Sequence, residues 1–129
     1  MLKAIIKISL SVTIFLIAGS AAISYQDKGL TLETYLKKVQ LKDTAVLVYF
    51  NADWCVPCIK LKPVIAELEK ENPKIKILKL DVDANPEIAQ HFEINTLPLF
   101  YIYKNGKQAW SNNTFMSKKE LQDRLSFYQ

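Results

Sequence analysis

From position 31 onward, stretches in which apolar residues return every three or four positions alternate with short runs that are apolar throughout. Leu32, Tyr35, Leu36 and Val39 carry the first helical period, and Thr31 stands before them as an N-cap. Residues 45–50 (AVLVYF) are continuously apolar, β-branched and aromatic, which reads as a strand buried on both faces and therefore central. Over 55–71, Leu61, Val64, Ile65 and Leu68 recur at helical spacing. Pro63 falls inside that stretch and is expected to kink the helix, because it lacks an amide hydrogen and clashes one turn back. Residues 75–80 read as a strand, with Ile75 and Ile77 alternating with Lys74 and Lys76. Asn85-Pro86 has the form of an N-cap and first helical position, opening a short helix through Phe92. Residues 99–103 and 107–111 are strands joined by Asn105-Gly106, a tight-hairpin signal. Ser117 followed three positions later by Glu120 is a capping box, opening a last helix with Leu121 and Leu125 inward.

The order is helix, strand, helix, strand, helix, strand, strand, helix. Its first three-quarters alternates as βαβ units do, which calls for parallel strands, and the closing hairpin adds an antiparallel edge. The expected architecture is α/β, a mixed central sheet with helices on both faces. Residues 23–129 read as one domain without repeats, linkers or low-complexity segments.

The first 22 residues differ in kind. Lys3 and Lys7 precede a largely apolar run over 8–18, and Gly19, Ser20, Ala21 and Ala22 follow. A basic start, an apolar middle and a small-residue end make a secretory signal peptide. Cleavage after Ala22 would put Ser20 and Ala22 in the small-residue positions; the alternative is an uncleaved membrane anchor over residues 5–24. Both readings place the domain outside the cytoplasm, in a periplasmic or other extracytoplasmic space where disulfides form and persist. No cysteine lies near residue 20, so a lipidated N-terminus is not expected.

Composition narrows the chemistry further. The chain has 129 residues, half of them apolar, with a formal charge of +4. Without Lys3 and Lys7, 15 basic residues face 13 acidic ones, so nucleic-acid binding gains no support. Two cysteines and the single His91 cannot complete a four-ligand zinc site, and no metal or other cofactor is implied. His91 and Trp110 read as structural, and Asp53 as a charge flanking the cysteines.

Both cysteines lie in Trp54-Cys55-Val56-Pro57-Cys58, where the central strand turns into a helix. A cysteine in the first turn of a helix faces unpaired N–H groups and the positive end of the dipole, which favour thiolate over thiol. The thiolate is the attacking species. Cys55 is therefore expected to be exposed and nucleophilic at the helix tip, with Cys58 one turn on, more buried, and placed to resolve a mixed disulfide. The plain alternatives are an inert disulfide and half of a zinc site.

Residues 30–129 resemble the thioredoxin family. The resemblance is carried by AVLVYFNADWCVPC, Pro63, KLDVDANPEIAQHF, INTLPLF, the turn KNG and the helix from Ser117, with Pro98 lying 40 positions after Cys58. It implies a thioredoxin fold and thiol–disulfide exchange through Cys55 and Cys58. It identifies Pro98 as the family's cis-proline facing the cysteines, and Leu97 as the residue whose backbone pairs with a substrate chain. Trp54, Val56, Pro57 and Leu97 would then form an apolar rim for extended polypeptide. Three positions depart from the family pattern. Tyr49 stands where relatives often carry a buried acid, and a phenol is a poor base at neutral pH. Thr114 stands where glycine is usual beside the groove and could narrow it. The first edge strand must be brief, near residues 23–26. Lys79 matches a lysine that accompanies the buried acid in relatives, or is simply a solvated surface lysine.

Val56-Pro57 places no positive charge between the cysteines to stabilise a thiolate, so the reduced form should donate electrons. The expected activity is reduction of disulfides in exported proteins by a monomer, recharged by a membrane electron-donor protein. The rivals are a disulfide oxidase or isomerase, and a binding or chaperone module with an idle disulfide.

Overall fold

The structure is a computed structural model and describes residues 29–129. Its elements are α1 (Leu32–Val39), β1 (Ala45–Asn51), α2 (Val56–Glu71), β2 (Lys76–Asp81), α3 (Pro86–His91), β3 (Leu99–Lys104), β4 (Lys107–Asn112) and α4 (Lys118–Tyr128). Both the leader over 1–22 and the short strand expected near 23–26 lie outside the described residues.

The sheet has the order β2-β1-β3-β4, so the all-apolar strand is interior and buried along six of its seven residues. Alternate residues of β1 feed two cores. Ala45, Leu47 and Tyr49 pack with Leu61, Ile65 and Leu68 of α2 and Leu121 and Leu125 of α4. Val46, Val48 and Phe50 pack with Tyr35 and Val39 of α1 and Ile88 of α3. Helices therefore cover both faces, as a strand with two apolar sides requires.

Only β1 and β2 are parallel; β3 runs antiparallel to β1, contrary to the alternation expected from the element order. The reason is length. A six-residue helix such as α3 rises about 9 Å, against about 20 Å for the strand it would have to retrace. The chain therefore re-enters the sheet at the end where β2 left it.

Local signals mostly hold. Thr31 Oγ1 accepts the Thr34 N–H, and Ser117 and Glu120 form the reciprocal capping box. Asn105 (φ 51°) and Gly106 (φ 77°) both occupy the left-handed region that a two-residue turn of this hand requires. The helix α2 runs through Pro63 as one element of 16 residues. Asn85 does stand at the N-cap of α3, but its side chain makes no cap bond. Its Nδ2 donates to the Asp81 carbonyl and its Oδ1 accepts from Leu30 N–H at 2.7 Å, tying the segment before α1 to the end of β2.

Candidate active site

The carboxyl end of β1 feeds the cysteines. After Asn51 the chain turns, with Cys55 N–H donating to the Ala52 carbonyl, and enters α2 with Cys55 as its N-cap. Pro57 in the first turn has no N–H to offer. That of Cys58 points at Cys55 Sγ, 3.3 Å away. Cys55 and Cys58 form a disulfide with Cα atoms 5.2 Å apart. Cys58 is fully buried. Cys55 is only 5% exposed, so the expected exposed sulfur is instead a narrow window in this oxidised state. Burial follows from where the motif sits: both sulfurs join the core formed with Tyr49, Ile65, Phe100 and Met116.

Strand register brings the other parts to the same end. Leu99 pairs with Phe50, so Leu97-Pro98 lies just beyond the carboxyl end of β1, next to the turn that carries Cys55. The Leu97–Pro98 peptide bond is cis. Pro98 is buried, while half-buried Leu97 packs against both cores. Asn112 pairs with Phe100, which puts Thr114 and Phe115 at this end too. Four of the seven large apolar side chains exposed among the described residues gather here: Trp54 (67%), Val56 (62%), Ile59 (48%) and Phe115 (51%). Single exposed apolar residues need no explanation, but a group at one end of the sheet makes it a candidate contact surface. Pro57 is exposed in the same turn.

Sequence reasoning did not find Ile59, Phe115 or Asp83. Ile59 falls outside the spacing of the core-facing residues of α2, a signal that was there to be read. Asp83 Oδ2 accepts the Trp54 indole N–H at 2.9 Å, and its own N–H is held by Asp81 Oδ1 at 2.8 Å. The indole is thereby fixed in orientation while its ring stays in solvent. Nothing in the local pattern pairs residues 29 positions apart.

Tyr49 lies behind Cys58. Its ring is buried and stacks on Phe100, with centroids 5.1 Å apart, and its hydroxyl donates to the Cys58 carbonyl at 3.1 Å. Burial pushes its pKa up to about 12, so it stays protonated at neutral pH and cannot act as a base. A cavity of about 290 Å³ touches the ring and is lined by Asn51, Lys62, Ile65 and Lys79. Lys79 pairs with Glu69 at 2.9 Å and is half-exposed, which fits the surface role. Lys62 pairs with Asp53 at 3.2 Å. The Thr114 hydroxyl turns back onto Asn112 Oδ1 at 3.0 Å. His91 is exposed and stands edge-on to Phe92, and Trp110 is half-buried beneath Arg124. No cluster of metal-ligating side chains occurs among the described residues.

Comparison with known proteins agrees with this layout. The family model described as Thioredoxin matches residues 27–126. The thioredoxin of Rickettsia felis is 38% identical over 96 residues, covering 74% of this chain and 91% of its own. That of Chlamydia muridarum is 39% identical over 84 residues, covering 65% of this chain and 82% of its own. Among solved structures, Fasciola hepatica thioredoxin is 28% identical with a TM-score of 0.66, covering 76% of this chain and 91% of that one. A match across most of the chain, on a fold that sets a Cys-x-x-Cys pair at disulfide distance, makes this chain a member of the thioredoxin family of redox proteins.

Proposed function

We propose that the protein is a thiol–disulfide reductase acting on disulfides of exported polypeptides, with Cys55 as nucleophile and Cys58 as resolving thiol. The observation that carries this is the position of Cys55 at the N-cap of α2, its sulfur accepting the Cys58 N–H, with Cys58 sealed behind it. The reduced Cys55 thiolate attacks one sulfur of a substrate disulfide. A mixed disulfide forms and the other substrate sulfur leaves as a thiolate, which takes up a proton. Cys58 then loses its proton and attacks Cys55 Sγ, closing the 55–58 disulfide and releasing the second substrate sulfur. Two electrons pass from the protein to the substrate.

The apolar surface of Trp54, Val56, Pro57 and Leu97 supports binding of extended chain, and the position of Leu97 just ahead of β3 supports a role for its backbone in that pairing. Val56-Pro57 supports the reducing direction, since neither residue stabilises the thiolate form by charge. The leader pattern of residues 1–22 supports export. In an oxidising compartment the dithiol must be recharged, and a membrane protein carrying reducing equivalents across the bilayer is the class of partner that does so.

A Cys58→Ser variant tests the assignment. It should accumulate mixed disulfides through Cys55, whereas Cys55→Ser should capture nothing; equal capture by both, or by neither, would refute it. Equilibration with glutathione tests the direction, with a potential as oxidising as the glutathione pool counting against a reductase.

A further inference from the structure

The end of the sheet opposite the cysteines is basic. In the register, Lys104 pairs with both Ala45 and Lys107, and Lys76 pairs with Val46, the next residue of β1, so three lysines lie in two adjacent rows at this end of the sheet. Lys42 and Lys74 come from the loops that border these rows. These segments form one continuous face. Asn105 Oδ1 accepts the Asp43 N–H at 2.8 Å, and Lys104 Nζ reaches the Asp43 and Tyr128 carbonyls. A depression of about 520 Å³ between Leu41 and Pro73 is rimmed by Lys74 and Lys76. Lys42, Lys74, Lys76 and Lys107 are exposed and form no ion pair among the described residues. Asp43 is the acidic side chain in this face, and Glu71, at the end of α2, is taken up by Lys118. Residues 80–103, by contrast, hold four acids and neither lysine nor arginine.

We infer that this lysine face, with the exposed Leu41 beside its depression, docks on an anionic phospholipid surface and holds the cysteines away from it. Two features carry the assignment. Lysines around one exposed leucine, 36% accessible, match a surface with phosphate outside and hydrocarbon beneath. The apolar leader expected over residues 1–22 would bring the chain to a bilayer. Docked this way, Cys55 stands more than about 20 Å above the lipid. It is open to soluble substrates, and it meets a membrane partner through a domain that projects from the bilayer. The last consequence rests on the reductase reading; the docking does not.

The full chain, reconstituted into vesicles and treated with an amine-acetylating reagent, tests this. On vesicles one-third phosphatidylglycerol, acetylation of Lys42, Lys74, Lys76 and Lys107 should slow at least about five-fold relative to phosphatidylcholine vesicles, the scale of one lysine at an anionic surface. Lys60 and Lys62 should not change, and 0.5 M salt should abolish the protection. K74E/K76E/K107E should lose the protection of Lys42 while still reducing insulin. Equal rates on the two vesicles would overturn the inference. Protection by soluble polyglutamate and not by the anionic vesicle would do so as well, making the occupant an acidic protein. Loss of insulin reduction with protection intact would strike the reductase reading alone.

Discussion

Replacing Tyr49 by Asp puts a proton acceptor behind Cys58, and the structure sets both the cost and the gain. The Tyr49 ring is 2% exposed and stacked on Phe100. Losing an aromatic side chain at that burial costs about 3–5 kcal/mol, a large part of the roughly 5–15 kcal/mol that holds a domain together. The new carboxylate would not be stranded in hydrocarbon. The cavity of about 290 Å³ beside the ring is lined by Asn51, Lys62 and Lys79. The two ammonium groups near the site reduce the desolvation penalty, while partial burial lifts the carboxyl toward neutrality, where a general base works best. The assay loads Cys55 with a thionitrobenzoate group and follows its release at 412 nm as Cys58 attacks. At pH 7 Tyr49→Asp should resolve at least about 10-fold faster than the parent, the lower range of general-base assistance. Tyr49→Phe keeps the ring and loses one hydrogen bond to the Cys58 carbonyl, about 1 kcal/mol, and should resolve within about two-fold of the parent. A folded Tyr49→Asp that is no faster would show that proton loss from Cys58 does not limit the step. A Tyr49→Phe slowed 10-fold would make the phenol itself the relay.

Three further outcomes follow from single contacts. Burial raises the pKa of Tyr35, Tyr49, Tyr101 and Tyr103 above the ordinary phenol value of 10.0. Their stabilising contribution is whole below pH 10 and disappears as pH climbs toward the folded values, so absorbance at 295 nm should show these phenols ionising together with unfolding; four independent titrations in a folded protein would contradict it. Ser117→Ala removes the α4 cap and should cost about 1 kcal/mol, lowering Tm by a few degrees on thermal denaturation. Asp83→Ala frees the Trp54 indole, and should shift its fluorescence and raise KM for a protein disulfide about two- to five-fold with kcat little changed.

What could be read from the chain depended on the range of the interaction. The central strand, the Asn105-Gly106 turn, the Ser117 cap and the cysteines at the head of α2 are set by neighbouring residues, and patterns over a few positions show them. The antiparallel run of β3 is different: it follows from α3 being too short to cross the sheet, and element order is blind to that. Asn85 has the identity of a cap, but Leu30 N–H and the Asp81 carbonyl compete for its amide. The Cys55 window is narrow because the motif belongs to the core around Tyr49 and Phe100, a contact set that spans the whole domain. The Trp54–Asp83 bond and the five-lysine face likewise join residues distant in sequence, and only strand register reveals them.

The proposed reactivity requires Cys55 to ionise easily at the amino end of α2. Thiolate absorbance at 240 nm, followed in the reduced protein from pH 4 to pH 10, measures this directly. One thiolate per molecule should form at a pH at least about one unit below the ordinary thiol value of roughly 8.5, and the signal should vanish in Cys55→Ser while persisting in Cys58→Ser. Two thiols titrating together at or above the ordinary value would contradict the assignment of Cys55 as nucleophile.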